Sequence, residues 1–134
     1  MRILVDTNIL ISATLFPQGK VARVLDYLFE THTVVIASYT VHECEQVFLR
    51  KFPSKLPAFH QFLADIDFER FDTPAKLDPD RFPHIRDAGD LPVLASAVLA
   101  DVDILISGDK DFEDLHLKKP LVFSPQKYFD LINT

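Results

Sequence analysis

Four short segments of this 134-residue chain are apolar on consecutive positions with no polar alternation: R-I-L-V at 2–5, T-V-V-I-A at 33–37, the I-L-I of Asp103–Ser107, and L-V-F at 121–123. A strand with one wet face alternates apolar and polar residues. A strand without alternation must be covered on both faces, which is the condition of a parallel sheet packed between helices. Helical patterns lie between these runs. Val21, Val24, Leu25, Leu28 and Phe29 fall at i, i+3, i+4, i+7 and i+8, one face of a helix. From Ser38, the expected N-cap, a second helix should run to about Phe52 and stop before Pro53. A short helix is expected between Pro57 and Ile66, and Phe68–Phe71 alternates as a modest strand. Leu91–Ala100 is apolar nearly all round, a core helix, and a last helical turn or two should lie around Gln126–Ile132. The stretch after Val5 reads as a loop carrying Pro17 and Gly19, and Asp72–Ala88, with three prolines, as a long connector. Buried strands alternating with helices predict an α/β fold, a three-layer α/β/α arrangement with a central parallel sheet, with residues 1–134 as a single domain.

Composition sets bounds on function. Apolar residues make up 48% of the chain, enough for a substantial core, yet no apolar run approaches the ~20 residues of a membrane span. Met1-Arg2 leads directly into a strand without a signal-peptide core, and one cysteine, Cys44, excludes an internal disulfide. The expectation is a soluble cytoplasmic protein with no membrane role. Lys and Arg number 14 against 20 Asp and Glu, a formal net charge of −6, which is the wrong sign for a nucleic-acid binder with a basic face. Contacts to phosphate would then fall to local groups: Arg50 and Lys51 near Lys55, Lys110, or Lys118 and Lys119.

Acidic residues stand where those apolar segments begin or end: Asp6 in I-L-V-D-T-N, Glu43 in V-H-E-C-E, Asp90 in R-D-A-G-D-L-P-V, and Asp109 in I-L-I-S-G-D-K-D. In an open parallel sheet, loops after strands and at helix starts gather at the carboxyl edge, where ligands bind. Carboxylates meeting there would repel one another unless divalent cations lay between them. Each acid also has an ordinary explanation. Asp6 could make an Asx-turn, Asp87 or Asp90 could cap the helix that Pro92 opens, and Asp109 and Asp111 could be turn and cap residues. What favours the site is coincidence, because all would share one end of the sheet. On α-helical spacing, Glu43 and Glu45 flank the Val41, Cys44, Val47, Phe48 stripe on opposite edges, and spacing alone does not choose between them.

These motifs, in this order, resemble the PIN-domain ribonucleases: V-D-T-N-I-L, the glutamate after S-x-T-V, D-x-x-D-L-P-V-L-A-S-A, and L-I-S-G-D-K-D. The likeness runs from Met1 to about Leu115 and is closest to small stand-alone members that serve as toxins of bacterial and archaeal toxin–antitoxin pairs. The register E-C-E-Q-V-F-L-R-K-F looks like the family's E-L-x-x-V-L-x-R-x-F and selects Glu43. The resemblance implies that Asp6, Glu43, Asp90 and Asp109 are catalytic and metal-binding, with Asp87 and Asp111 as auxiliaries and Asn8 and Ser107 at flanking polar positions. It also implies a PIN-like fold, a single-stranded RNA substrate, 5′-phosphate products and an antitoxin partner. A donor set of oxygens without a His or Cys cluster favours Mg²⁺ or Mn²⁺ over zinc.

The remaining features have simpler readings. His32, His42, His60, His84 and His116 lack ligand spacing and are expected at the surface, while Cys44, Phe59, Phe62 and Leu63 are expected in the core. Twelve phenylalanines in so small a chain suggest surplus apolar surface and a homodimer. Three rivals share parts of the pattern. A haloacid-dehalogenase-type phosphatase wants an acid where Asn8 stands. A receiver domain wants an Asp directly after the strand at 33–37. A catalytically silent PIN-like module that only binds RNA or protein draws support from the acidic net charge alone.

Overall fold

The computed structural model describes residues 1–133, built on β1 (Arg2–Val5), β2 (Thr33–Ala37), β3 (Glu69–Phe71), β4 (Ile104–Ile106) and β5 (Leu121–Phe123). They form one parallel sheet in the order β3-β2-β1-β4-β5. Leu4 lies opposite Val35 on one side and Leu105 on the other. Side chains alternate along a strand, so the continuous apolar runs divide between two cores. Ile3, Val5, Val34, Ile36, Ile104 and Ile106 face one; Leu4, Val35, Ala37 and Leu105 face the other.

Helices cover both faces. The first core is closed by α1 (Thr7–Leu15), α2 (Lys20–Thr31), α3 (Ser38–Lys51), α4 (Leu56–Asp65) and α7 (Pro125–Ile132). The second is closed by α5 (Leu91–Leu99) and α6 (Lys110–Glu113). Right-handed crossovers explain the division: the chain steps from β1 to β3 in one direction across the sheet and from β4 to β5 in the other, so its helices fall on opposite faces. The order also removes the receiver reading. That fold runs 2-1-3-4-5, whereas here β4 lies beside β1.

Two expectations need correction. The stretch after Val5 is not a loop: α1 starts at Thr7, and only residues 16–19 connect it to α2. Thr7, Ile9, Leu10, Ile11 and Ala13 are all buried, so the helix is covered on most sides and its sequence carries no one-sided stripe. Ser38 is also not an N-cap. It lies within the first turn of α3, and its Oγ accepts the Thr73 N–H at 2.9 Å, tying α3 to the chain leaving β3. On α3, Cys44 and Phe48 are fully buried, and Phe59 of α4 stacks on Phe48 at 5.2 Å. This docking sets the rotation of α3. Among the described residues, no helix is long and apolar enough to cross a membrane.

Candidate active site

β1 and β4 are neighbours, yet the chain leaves them toward opposite sides of the sheet, which opens a crevice outside their carboxyl ends. Asp6 follows β1 and Ser107-Gly108-Asp109 follows β4. Asp6 is 8% exposed. Its Oδ1 accepts the Thr7 N–H at 2.7 Å and its Oδ2 accepts the Ser107 hydroxyl at 2.8 Å. Ser107 Oγ in turn accepts the Asp109 N–H at 3.0 Å, so one hydroxyl couples the acids of the two central strands. The ordinary roles are fulfilled at the same time: Asp6 caps α1, and Asp109 caps α6 by accepting the Asp111 N–H at 2.9 Å.

The two glutamates of α3 part company. Glu43 Oε1 accepts the Thr7 hydroxyl at 2.6 Å and Oε2 accepts the Tyr39 hydroxyl at 2.8 Å, while Glu45 pairs with His60 at 2.9 Å. Thr7 and Tyr39 are functional candidates that sequence reasoning passed over. Tyr39 lies four residues before Glu43, a spacing that stacks side chains on one helix face, and this was the available signal.

Asp90, Asp109 and Asp111 bring carboxylate oxygens within 4.8 Å of one another. Asp90 reaches them because the 3₁₀ turn Ala88–Asp90 leads straight into α5. Asp87 caps that turn through the Gly89 N–H at 2.9 Å and stays exposed. Asn8 is exposed on the first turn of α1. Of the basic candidates, Lys110 is exposed next to Asp109. Arg50 and Lys51 occupy the last turn of α3. That helix starts at the carboxyl edge and runs away from it, which leaves them roughly 10 Å past Glu43 along the axis. Arg86, not singled out in the sequence, lies 3.5 Å from Asp111 through Nε.

Crowded acids alter one another's titration. Burial chiefly raises the Asp6 carboxyl; hydrogen bonds from Ser107 and Thr7 oppose this, and the charges of Glu43 and Asp109 add to it. Asp90 is pushed up to about 7, first by burial, then by the charge and contact of Asp109, with Asp87 and Asp6 contributing. Burial and Glu43 push the Tyr39 hydroxyl up to about 12, so it acts as a donor. Asp90 Oδ2 is sealed from solvent without a hydrogen-bond partner. A buried polar atom left unpaired is costly, and repulsion compounds the cost. A divalent cation among these oxygens would relieve both. The all-oxygen donor set, with no histidine or cysteine in it, suits a hard ion such as Mg²⁺ or Mn²⁺.

Among solved structures, a chain of VapBC2 from Rickettsia felis, determined bound to a DNA fragment from its promoter, shares the fold with a TM-score of 0.70. The match covers 92% of this chain and 98% of that one at 18% identity. No curated protein matches the sequence. PIN domains are generally nucleases that use divalent metals. Residues 2–111, which carry all of the acids described above, match the PIN domain, and the chain belongs to that family.

Proposed function

We propose that this chain is a divalent-metal-dependent ribonuclease that hydrolyses phosphodiester bonds of single-stranded RNA in the cytoplasm, as the toxin of a toxin–antitoxin pair. The observation that carries the reading is the cluster of Asp90, Asp109 and Asp111, whose carboxylate oxygens lie within 4.8 Å of one another and in which Asp90 Oδ2 is sealed and unpartnered, together with the hydrogen-bonded Asp6 and Glu43. Asp90 and Asp109, with Asp111 as auxiliary, would hold one ion; Asp6 would be shared, and Glu43 would hold a second ion or position water. Bound there, Mg²⁺ or Mn²⁺ supplies a more acidic attacking water and neutralises charge on the departing 3′ oxygen, leaving a 5′-phosphate on the product. The chain's own contribution is orientation. Ser107 and the Thr7 N–H fix both oxygens of Asp6, and the Thr7 and Tyr39 hydroxyls fix both oxygens of Glu43. Arg86 and Lys110 at the rim would meet substrate phosphates. The antitoxin is expected to be a separate protein, and a homodimer would cover exposed apolar side chains such as Phe16, Leu49 and Phe52.

The test is cleavage of labelled single-stranded RNA with Mn²⁺, Mg²⁺ or EDTA. Wild type and Glu45→Gln should cut only with metal, and Asp6→Asn and Glu43→Gln should not cut. Equal cutting by Asp6→Asn would refute the assignment. The formal charge of −6 favours a second reading, a silent RNA- or protein-binding module; metal binding without turnover on any RNA would select it.

A further inference from the structure

The long connector after β3 has a structural consequence beyond joining two elements. Near its start, Thr73, Pro74, Ala75 and Leu77 line a groove of about 620 Å³ together with residues of the first turns of α3 and with Ala88, Leu91 and Pro92. Loops of this length in compact folds are commonly functional. The walls are fastened by hydroxyls. Thr73 Oγ1 accepts the Tyr39 N–H at 3.3 Å and lies 2.9 Å from Ser96 Oγ, and the Ser96 hydroxyl donates to the Pro92 carbonyl at 2.7 Å. With the Ser38–Thr73 bond, this ties α3, the β3 exit and α5 into one rigid frame.

Three side chains give the groove its chemistry. Tyr39 lines it while its hydroxyl bonds Glu43 and lies 3.5 Å from the Gly89 carbonyl, so groove and acid site share this residue. Arg70 of β3 lines it too, with Nε engaged by Asp72 at 2.9 Å. Its remaining guanidinium donors are available at a position 63% exposed. His42 is exposed on α3, one turn beyond Tyr39. An apolar cleft of ordinary ligand size, with an aromatic ring and a guanidinium beside it, has the attributes of a nucleotide site: bases stack on flat apolar and aromatic surface while phosphates meet Arg. It also offers a local answer to the charge problem, since an acidic protein needs only a few basic groups placed along the strand.

We infer that this groove binds the nucleotide of a single-stranded RNA next to the one whose phosphodiester faces the acids, with Tyr39 against the base or sugar and Arg70 and His42 at the phosphate. The inference rests on the ribonuclease reading and adds to it the place where base preference is set. Neither Arg70 nor His42 belongs to the acid site, and both are exposed, so their replacement leaves the fold intact.

The experiment is fluorescence anisotropy of a short fluorescein-labelled single-stranded RNA, in Ca²⁺, with wild type and Arg70→Ala/His42→Ala. Cleavage of RNA randomised around the cut is followed in parallel with Mn²⁺. The double variant should bind about tenfold more weakly, the loss of charge-assisted contacts, and its salt dependence should flatten by roughly 0.7 in log–log slope for the lost Arg70 contact. In cleavage, KM should rise and base preference should flatten, while kcat stays within about twofold. Tyr39→Phe, which keeps the ring, should retain RNA affinity, and Tyr39→Ala should lose it. Unchanged RNA affinity and preference in the double variant overturn the inference and leave the groove to a protein partner. Binding that depends on Arg70 and His42 without any cleavage keeps the groove and removes the nuclease reading. No RNA binding by wild type removes both.

Discussion

Replacing Asp90 by Asn should stabilise the metal-free protein at pH 8 while removing its response to metal. The folded Asp90 carboxyl is raised from 3.8 to about 7, so the native state holds this proton more tightly than the unfolded chain does. Its contribution to stability is full below about 4, declines as pH rises, and is lost once pH passes the folded value near 7. A shift of about three units at ~1.4 kcal/mol each would amount to ~4 kcal/mol if unscreened. Asp90 retains partial solvent contact, and screening reduces this to about 2 kcal/mol. Asparagine removes the charge and keeps the shape. For a chain of this size, that corresponds to a melting-temperature gain of roughly 6–10 °C at pH 8. The assay is thermal unfolding by circular dichroism in EDTA at pH 8 and pH 5. The gain should shrink to less than half at pH 5, because the stability tied to this proton is lost progressively between about 4 and 7 and only the first part of it is gone there. Saturating Mn²⁺ should reverse the order at pH 8: ion at a hundredfold its Kd stabilises wild type by about 2.7 kcal/mol, and the variant should gain little. An Asp90→Asn protein that melts at or below wild type at pH 8 in EDTA would refute the reasoning.

Two other measurements follow from the same geometry. Ser107→Ala removes the hydroxyl that donates to Asp6 and accepts from the Asp109 N–H; a loss of about 1–3 kcal/mol in chemical denaturation is expected, with weaker Mn²⁺ binding, and an unchanged Mn²⁺ affinity would show that Ser107 does not position the acids. The exposed Phe16, Leu49 and Phe52 predict a homodimer in light scattering, and a monomer throughout the accessible concentration range would remove that expectation.

How much of this was legible beforehand depends on where each signal resides. The five strands and five of the seven α-helices among the described residues carry local patterns, such as unbroken apolar triplets, the i, i+4 stripe of α2 and Pro92 at the opening of α5; the four-residue α6 is too short to show a period. α1 has none, because a helix covered on most sides is apolar in every direction, and so it passed for a loop. Asp6, Asp90 and Asp109 stand out as candidates in the sequence because strand ends and helix starts in a parallel sheet share one edge. The choice of Glu43 over Glu45 rests on the family register; in the structure Glu43 bonds the Thr7 and Tyr39 hydroxyls while Glu45 pairs with His60.

The sequence by itself determined the layered parallel architecture and the gathering of acids at one edge of the sheet, because buried strands and their helices write their periodicity into neighbouring residues. Only the tertiary structure decided which strands adjoin, which oxygen of Asp90 is left without a partner, and that Thr73 joins Ser38 to Ser96 across the groove. Those relations connect residues distant along the chain. A hydrogen bond between Asp6 and Ser107 depends on two strands meeting a hundred residues apart, and no local pattern records that meeting.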